Sequence, residues 1–123
     1  MITLAPLKEK AEIEKYFKSK GILTDENSGC LIAQSGGEIL GFSLYSLTKD
    51  KMTVHYIEPI NDIALADGIL RSTIHIACEN NVYDTFYSES LDEDFLKKIG
   101  FIKNSDEKSL DTEKLFKSCR GCK

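Results

Sequence analysis

Long apolar runs are missing from this chain of 123 residues. A membrane-spanning helix needs roughly 20 consecutive apolar residues, and no such stretch occurs. The N-terminal segment also lacks the charged start, apolar middle and small-residue cleavage site of a secretory leader. The cytoplasm is therefore the expected location. Clustered basic charge is scarce as well. Sixteen Lys and Arg stand against 20 Asp and Glu, a net charge of −4, and the basic residues are scattered apart from Lys117, Arg120 and Lys123. A nucleic-acid surface needs a concentrated basic face, so neither nucleic acid nor membrane is an expected partner. No glycine-rich P-loop, zinc-binding helix signature or serine-triad motif occurs, and no internal repeat, low-complexity stretch or linker interrupts the chain. What remains is one domain. Hydrophobic residues make up 41% and charged residues 29%, an ordinary globular balance in a chain long enough to bury a core.

Four cysteines are present. Cys30 and Cys78 lie in apolar segments and are expected to act as small buried hydrophobes, and a reducing compartment implies no disulfide framework. Cys119 and Cys122 form a Cys-x-x-Cys in a tail of residues 117–123, which follows a domain of residues 1–116. That spacing lets two thiolates converge on one metal or close a redox disulfide, so Cys119 and Cys122 are the candidate zinc ligands. A tetrahedral structural site needs four ligands and only two are local. A frayed tail, a metal site and a redox or tethering role stay open.

Along the chain, residues 1–4 suit an edge strand. Pro6 suits the first position of a helix, and Leu7, Ala11, Ile13, Tyr16 and Phe17 then recur at helical spacing, with Gly21 as a stop. Residues 30–34 and 38–47 read as a hairpin about Ser35-Gly36-Gly37, and residues 51–57 as a third strand of the same meander. Ile63, Ala66, Leu70, Ile74 and Ala77 share one face of a long helix, with Ile69, Thr73 and Ile76 beside them. So wide a stripe is expected to be buried against a sheet. Asn80-Asn81 ends that helix, and residues 82–87 follow as a strand in a parallel βαβ unit. Ser90 and Glu93 have capping-box spacing for a short helix, and Gly100 stands where a left-handed cap belongs. Residues 101–103 and 110–116 read as a last antiparallel pair, the second equally compatible with a helical turn.

The corner before the long helix, Tyr56 to Asp67, is the segment that bears on function. A helix N-terminus after a strand is a common anion site, but this corner carries Asp62 and Asp67 in place of glycines. Either Asn61 caps an extended helix that absorbs Ile-Ala-Leu-Ala-Asp, or Asp67 caps a shorter one and a loop survives. Ile-Ala-Leu-Ala holds no breaker, which favours the earlier start.

Ile32-Ala33-Gln34 with Gly36-Gly37-Glu38-Ile39-Leu40-Gly41-Phe42, then Ile57-Glu58-Pro59, then Phe95-Leu96-Lys97-Lys98-Ile99-Gly100-Phe101 occur in this order. They resemble the V-A-x-x-x-G-x-I-V-G-F hairpin, the V-x-P strand end and the F-Y-E-K-L-G-F segment of the GNAT acyl-CoA N-acyltransferases, over nearly the whole chain. The resemblance implies an α/β (α+β) fold with a mixed, mostly antiparallel sheet of six to seven strands flanked by three helices. It implies transfer of an acetyl group from acetyl-CoA to an amine of a small molecule or peptide, with a homodimer as a further expectation. It places Ile57 against the pantetheine and acyl carbonyl through its backbone, and Ala66 and Gly68 in the region of the pyrophosphate. Glu58, with His55 near the same strand end, is the candidate general base, although a glutamate at a proline corner is more often solvated and a strand histidine more often a cross-strand residue. The family's R/Q-x-x-G-x-G/A loop is here Asp62-Ile63-Ala64-Leu65-Ala66-Asp67, and Leu96 occupies the position of a proton-donating tyrosine. Tyr83 and Tyr87 are the nearest phenols. These departures leave a second reading, a non-catalytic domain of the same fold that binds a partner or small ligand, and a third, a thiol or metal protein acting through Cys119 and Cys122.

Overall fold

A computed structural model describes residues 2–113. The tail cysteines Cys119 and Cys122, and the expected boundary at residue 116, lie outside the described residues. The chain runs β1 (Thr3–Pro6), α1 (Lys10–Ser19), β2 (Ser28–Ser35), β3 (Glu38–Leu47), β4 (Met52–Glu58), α2 (Ile63–Glu79), β5 (Thr85–Tyr87), α3 (Glu93–Ile99), β6 (Ile102–Asn104) and β7 (Ser109–Leu110). The described residues build one seven-stranded sheet in the order β1-β2-β3-β4-β5-β7-β6. Its pairings are antiparallel except β4 with β5, which α2 connects as a parallel crossover. The α/β fold, with three helices among the described residues and a mixed, mostly antiparallel sheet, is as the sequence implies.

Pro6 does not open α1. It ends β1 opposite Leu31, on an edge strand where a missing N–H is tolerated, and Leu7 N–H extends the pairing to Cys30 O at 2.8 Å. The helix forms only once that pairing is spent. Its C-terminal stop at Gly21 holds (φ +70°), with Ile22 N–H on Phe17 O at 3.0 Å. The same ending recurs in α2, where left-handed Asn81 lets Val82 N–H reach Ala77 O at 2.9 Å, and in α3, where Gly100 lets Phe101 N–H reach Leu96 O at 3.1 Å. In each case the following apolar residue turns back under the helix. Val82 is thereby drawn into the α2 terminus, which is why β5 begins at Thr85 and not at residue 82.

Asp92, not Ser90, caps α3, accepting from Asp94 N–H at 2.9 Å and Phe95 N–H at 3.3 Å. Glu93 is unavailable for a reciprocal box because its carboxylate takes Tyr87 Oη–H at 2.8 Å and lies 3.3 Å from Lys97 Nζ.

The sheet buries both faces. Ile13 and Phe17 of α1 cover Cys30, Ile32, Phe42 and Leu44 on one side. On the other side Ala66, Ile69, Leu70, Ile74 and Ala77 of α2, with Phe95 and Leu96 of α3, cover Leu31, Ala33, Val54 and Ile57. Ile63, expected on that buried stripe, is exposed in the first turn of α2. The α2 face carries a buried polar link to the helix, Ser43 Oγ to Thr73 Oγ1 at 2.6 Å, and Thr73 Oγ1 also donates to Ile69 O at 2.7 Å. A buried hydroxyl pair that satisfies itself avoids the desolvation cost of leaving either group unpartnered.

Candidate active site

The parallel β4–β5 pairing is short. It runs from Met52 opposite Thr85 to Val54 opposite Tyr87, and closes with Ser88 N–H on Val54 O at 3.0 Å. The chain then turns toward α3 while β4 continues to Glu58 against β3 alone. The two strands part there. A cleft of ≈ 520 Å³ opens between Tyr56–Asn61 on one wall and Glu89, Ser90, Leu91 and Asp92 on the other.

A bulge decides which side chains reach this cleft. Leu44 pairs with Tyr56 and Tyr45 with Val54, so His55 has no opposite number. An extra residue shifts the alternation of a strand by one. Val54 and Ile57 accordingly pack in the α2-side core, while His55 meets Phe17 edge-on at 6.3 Å and Tyr56 packs on the α1 side. His55 Nε2 lies 2.9 Å from Ser46 Oγ, and burial lowers its pKa. It is a cross-strand residue.

Glu58 is partly exposed to solvent, as a glutamate at a proline corner usually is, and it is also paired. Its Oε1 lies 2.7 Å from Lys20 Nζ at the end of α1, and Tyr56 Oη–H donates to the same oxygen at 2.8 Å. The hydrogen bond from Lys20, opposed in part by burial and helped by Tyr56, holds the Glu58 carboxyl below the usual carboxylate range. The same bond raises Lys20. The ammonium also sits over the rings of Tyr56 and Phe42, at 5.1 and 5.8 Å from their centroids. Lys20, Phe42 and Tyr56 thus join Glu58, and none of the three stands out in the sequence as a site residue. The spacing of Tyr56 and Glu58 hinted at a shared face. The partnership with Lys20 is long-range and had no local signal.

Across the corner, Asp62 caps α2, accepting from Leu65 N–H at 3.2 Å with its side chain and from Ala66 N–H at 2.9 Å with its carbonyl. The helix starts two residues past Asn61, with neither Asn61 nor Asp67 as its cap, and residues 63–67 are wound into it. The carboxylate of Asp62 takes the Leu65 amide and sets a negative charge at the helix N-terminus, where an anion would otherwise sit. Asp67 grips Arg71 Nε with both oxygens, at 3.1 and 3.2 Å, and that guanidinium lies 5.1 Å from the Phe101 ring centroid. Ala66 is fully buried in the core, and Gly68 lies in the second turn of α2 with open space beside it. Ile57 turns its side chain into the core, and its main chain borders the cleft. The cleft wall carries Glu58, Glu89 and Asp92, and among the described residues no Lys or Arg lines it.

Leu96 is buried. Tyr87 is pushed up to about 12, by burial first and then by its bond to Glu93. Burial likewise pushes the Cys30 thiol up to about 12, which makes it inert packing. Among the described residues no group of three or more His, Cys, Asp or Glu is placed to hold a metal, so zinc finds no support there. No helix among them is long and apolar enough to cross a membrane.

No protein-family model matches the chain, and no curated protein matches it in sequence. Solved structures match in fold. The ribosomal-protein alanine N-acetyltransferase from Escherichia coli shares 15% identity at a TM-score of 0.58, over 89% of this chain and 88% of that one. The corresponding enzyme from Brucella melitensis biovar Abortus 2308 shares 15% at 0.56, over 81% and 89%. A GNAT-family acetyltransferase from Streptococcus pneumoniae TIGR4 shares 15% at 0.51, over 82% and 87%. The chain has the GNAT N-acetyltransferase fold.

Proposed function

We propose that this chain is an N-acetyltransferase that takes its acetyl group from acetyl-CoA, bound through the pantetheine arm, and transfers it to an amine. The observation that carries this reading is the parting of β4 from β5 after Val54, which opens a cleft along the main chain of Ile57 beside the Glu58 carboxylate. A slender, uncharged thioester arm suits that slot. The residues at the α2 N-terminus do not suit the nucleotide phosphates, since the Asp62 carboxylate takes the Leu65 amide and adds its charge there, and Glu58, Glu89 and Asp92 line the approach.

The bound thioester supplies an activated carbonyl carbon. Glu58 accepts a proton from the acceptor ammonium, which must first displace Lys20 from the carboxylate. The amine nitrogen bonds to the carbonyl carbon and gives its second proton to water, the carbon–sulfur bond breaks, and the thiolate leaves. Leu96 has no proton to give it and Tyr87 Oη–H is committed to Glu93, so water protonates the thiolate. Juxtaposing the two substrates supplies most of the acceleration.

Calorimetric titration tests this. Acetyl-CoA and S-acetylpantetheine are expected to bind with dissociation constants within about threefold of each other, both near 100 µM or about −5.5 kcal/mol, because the phosphates gain no grip. No heat from either ligand at millimolar concentration would overturn the proposal. The second reading, a non-catalytic binding domain, is favoured by the Lys20–Glu58 ion pair and by Leu96. It prevails if acetyl-CoA binds but Glu58→Gln leaves the rate of thiol release unchanged.

A further inference from the structure

The surroundings of the Lys20 ammonium form a built receptor. Glu58 Oε1 lies 2.7 Å from Nζ, and the Tyr56 and Phe42 rings stand 5.1 and 5.8 Å away. Each wall is fixed by something other than Lys20. Tyr56 Oη–H holds the Glu58 carboxylate at 2.8 Å. Phe42 is braced between Tyr16 and Tyr56, with ring centroids 4.8 and 5.9 Å apart. The bulge at His55 is what turns both Tyr56 and Glu58 to this side of the sheet. Lys20, by contrast, is the residue that ends α1, a position from which its side chain can swing out to water without unfolding anything.

We propose that Phe42, Tyr56 and Glu58 form a recognition site for a primary alkylammonium group, which Lys20 fills from within the chain until an external amine displaces it. Two aromatic faces and one carboxylate select a compact cation on a slender apolar stem. A lysine side chain or a terminal diamine has this form, whereas an arginine or an aromatic amine does not. Tyr56 and Glu58 also line the β4–β5 cleft, so an ammonium held in the cage stands at the edge of the slot assigned to the thioester. The site's role in acceptor binding rests on the acetyltransferase reading. The binding event itself does not.

The test is therefore run without any thioester. Lys20→Met keeps an apolar stem of similar length and removes the competing charge. n-Butylammonium chloride is titrated into wild type and variant at constant ionic strength, followed by amide chemical shifts of residues 55–58. The variant is expected to bind at least tenfold more tightly than wild type, and Lys20→Met combined with Glu58→Gln to lose that gain. Lys20→Gln serves as a second opening variant, and a thermal melt verifies that each protein is folded. A folded Lys20→Met or Lys20→Gln protein that binds no more tightly than wild type overturns the proposal, as does a gain that survives Glu58→Gln. Calorimetry with acetyl-CoA on the same samples reports the thioester reading separately, so either idea can fall alone.

Discussion

Gly41 and Gly68 give opposite responses to the same added methyl group, and the difference can be worked from the coordinates. A Cβ on Gly41 would stand 2.4 Å from the Glu58 carbonyl oxygen, 2.8 Å from Pro59 Cδ and 3.0 Å from Ile69 Cδ1. The first two contacts are with a backbone atom and a ring fused to the backbone, and Glu58 is tied to β3 opposite Phe42. Neither can rotate aside, so the end of β4 must move. Overpacking of this kind costs about 1–3 kcal/mol. At a urea m-value of about 2 kcal/mol/M, the denaturation midpoint of Gly41→Ala should fall by about 1 M. Gly68 lies inside α2 with nothing within 4 Å of the corresponding position. There alanine removes the entropic cost of a helical glycine, about 0.5–1 kcal/mol, and the midpoint should rise by about 0.3–0.5 M. Urea melts read by circular dichroism settle both. A Gly41→Ala midpoint equal to wild type would refute the packing argument. The pair also reports on function. If Gly68→Ala weakens acetyl-CoA tenfold but leaves S-acetylpantetheine unchanged, the phosphates do reach α2 and the pantetheine-only grip is wrong.

Thr73→Val leaves the Ser43 hydroxyl buried without its 2.6 Å partner and should cost about 1–3 kcal/mol. Adding Ser43→Ala should recover part of that loss, and a double variant no better than the single one would contradict the pairing. Asp62→Asn keeps the cap and removes its charge, so acetyl-CoA should bind roughly threefold more tightly as repulsion of about 0.7 kcal/mol is relieved. S-acetylpantetheine, titrated in parallel, should not change. The Lys20–Glu58 pair is partly exposed, with side-chain exposures of 29% and 42%, so Lys20→Met should cost under about 1 kcal/mol at pH 7. Glu58 is lowered from 4.5 and Lys20 raised from 10.5. The contribution of Glu58 is therefore full above pH 4.5 and drains as pH falls through its folded-state value, while that of Lys20 is full below 10.5 and is lost only above it. Stability measured from pH 7 to 3 should show the variant and wild type converging at the acid end.

Local signals in this chain were strong where a rule acts over a few residues. Gly36-Gly37 between two β-rich runs fixes a hairpin, and its left-handed glycines appear as such. The stops at Gly21 and Gly100 and the apolar stripe of α2 were equally legible. Where the reading missed, a non-local bond had the deciding vote. Pro6 fits a helix start by propensity, yet pairing with β2 holds it in a strand. Ser90 fits a capping box by spacing, yet Tyr87 takes the carboxylate that would complete it. The start of α2 fell between the two expected caps because either aspartate or asparagine satisfies the same amides, and spacing alone does not rank them.

The candidate site was half legible for the same reason. Glu58 and Ile57 were singled out because Ile57-Glu58-Pro59 is a local pattern that resembles a known strand end, and both residues line the cleft. What the strand end presents, and to which side, depends on the unpaired residue at His55. In an unbroken β4, Tyr56 would share the face of Val54 and point toward α2, and Glu58 with it. Both carboxylate and phenol would then be buried in an apolar core without Lys20, an arrangement that costs several kcal/mol for an unpaired charge. The bulge removes that conflict by turning the pair toward α1, where an ammonium and two aromatic rings receive them. It also sends Ile57 back into the core, which closes the α2 side of β4 and leaves its main chain along the cleft. One inserted residue thus separates an apolar wall from a cation-binding wall on the same short strand. A variant with His55 deleted should join Val54 directly to Tyr56 with both β3 partners kept, leave Glu58 facing α1, and fold as a protein that still binds n-butylammonium. If that deletion variant instead folds but no longer binds n-butylammonium, the register of Tyr56 opposite Leu44 is not what orients the site.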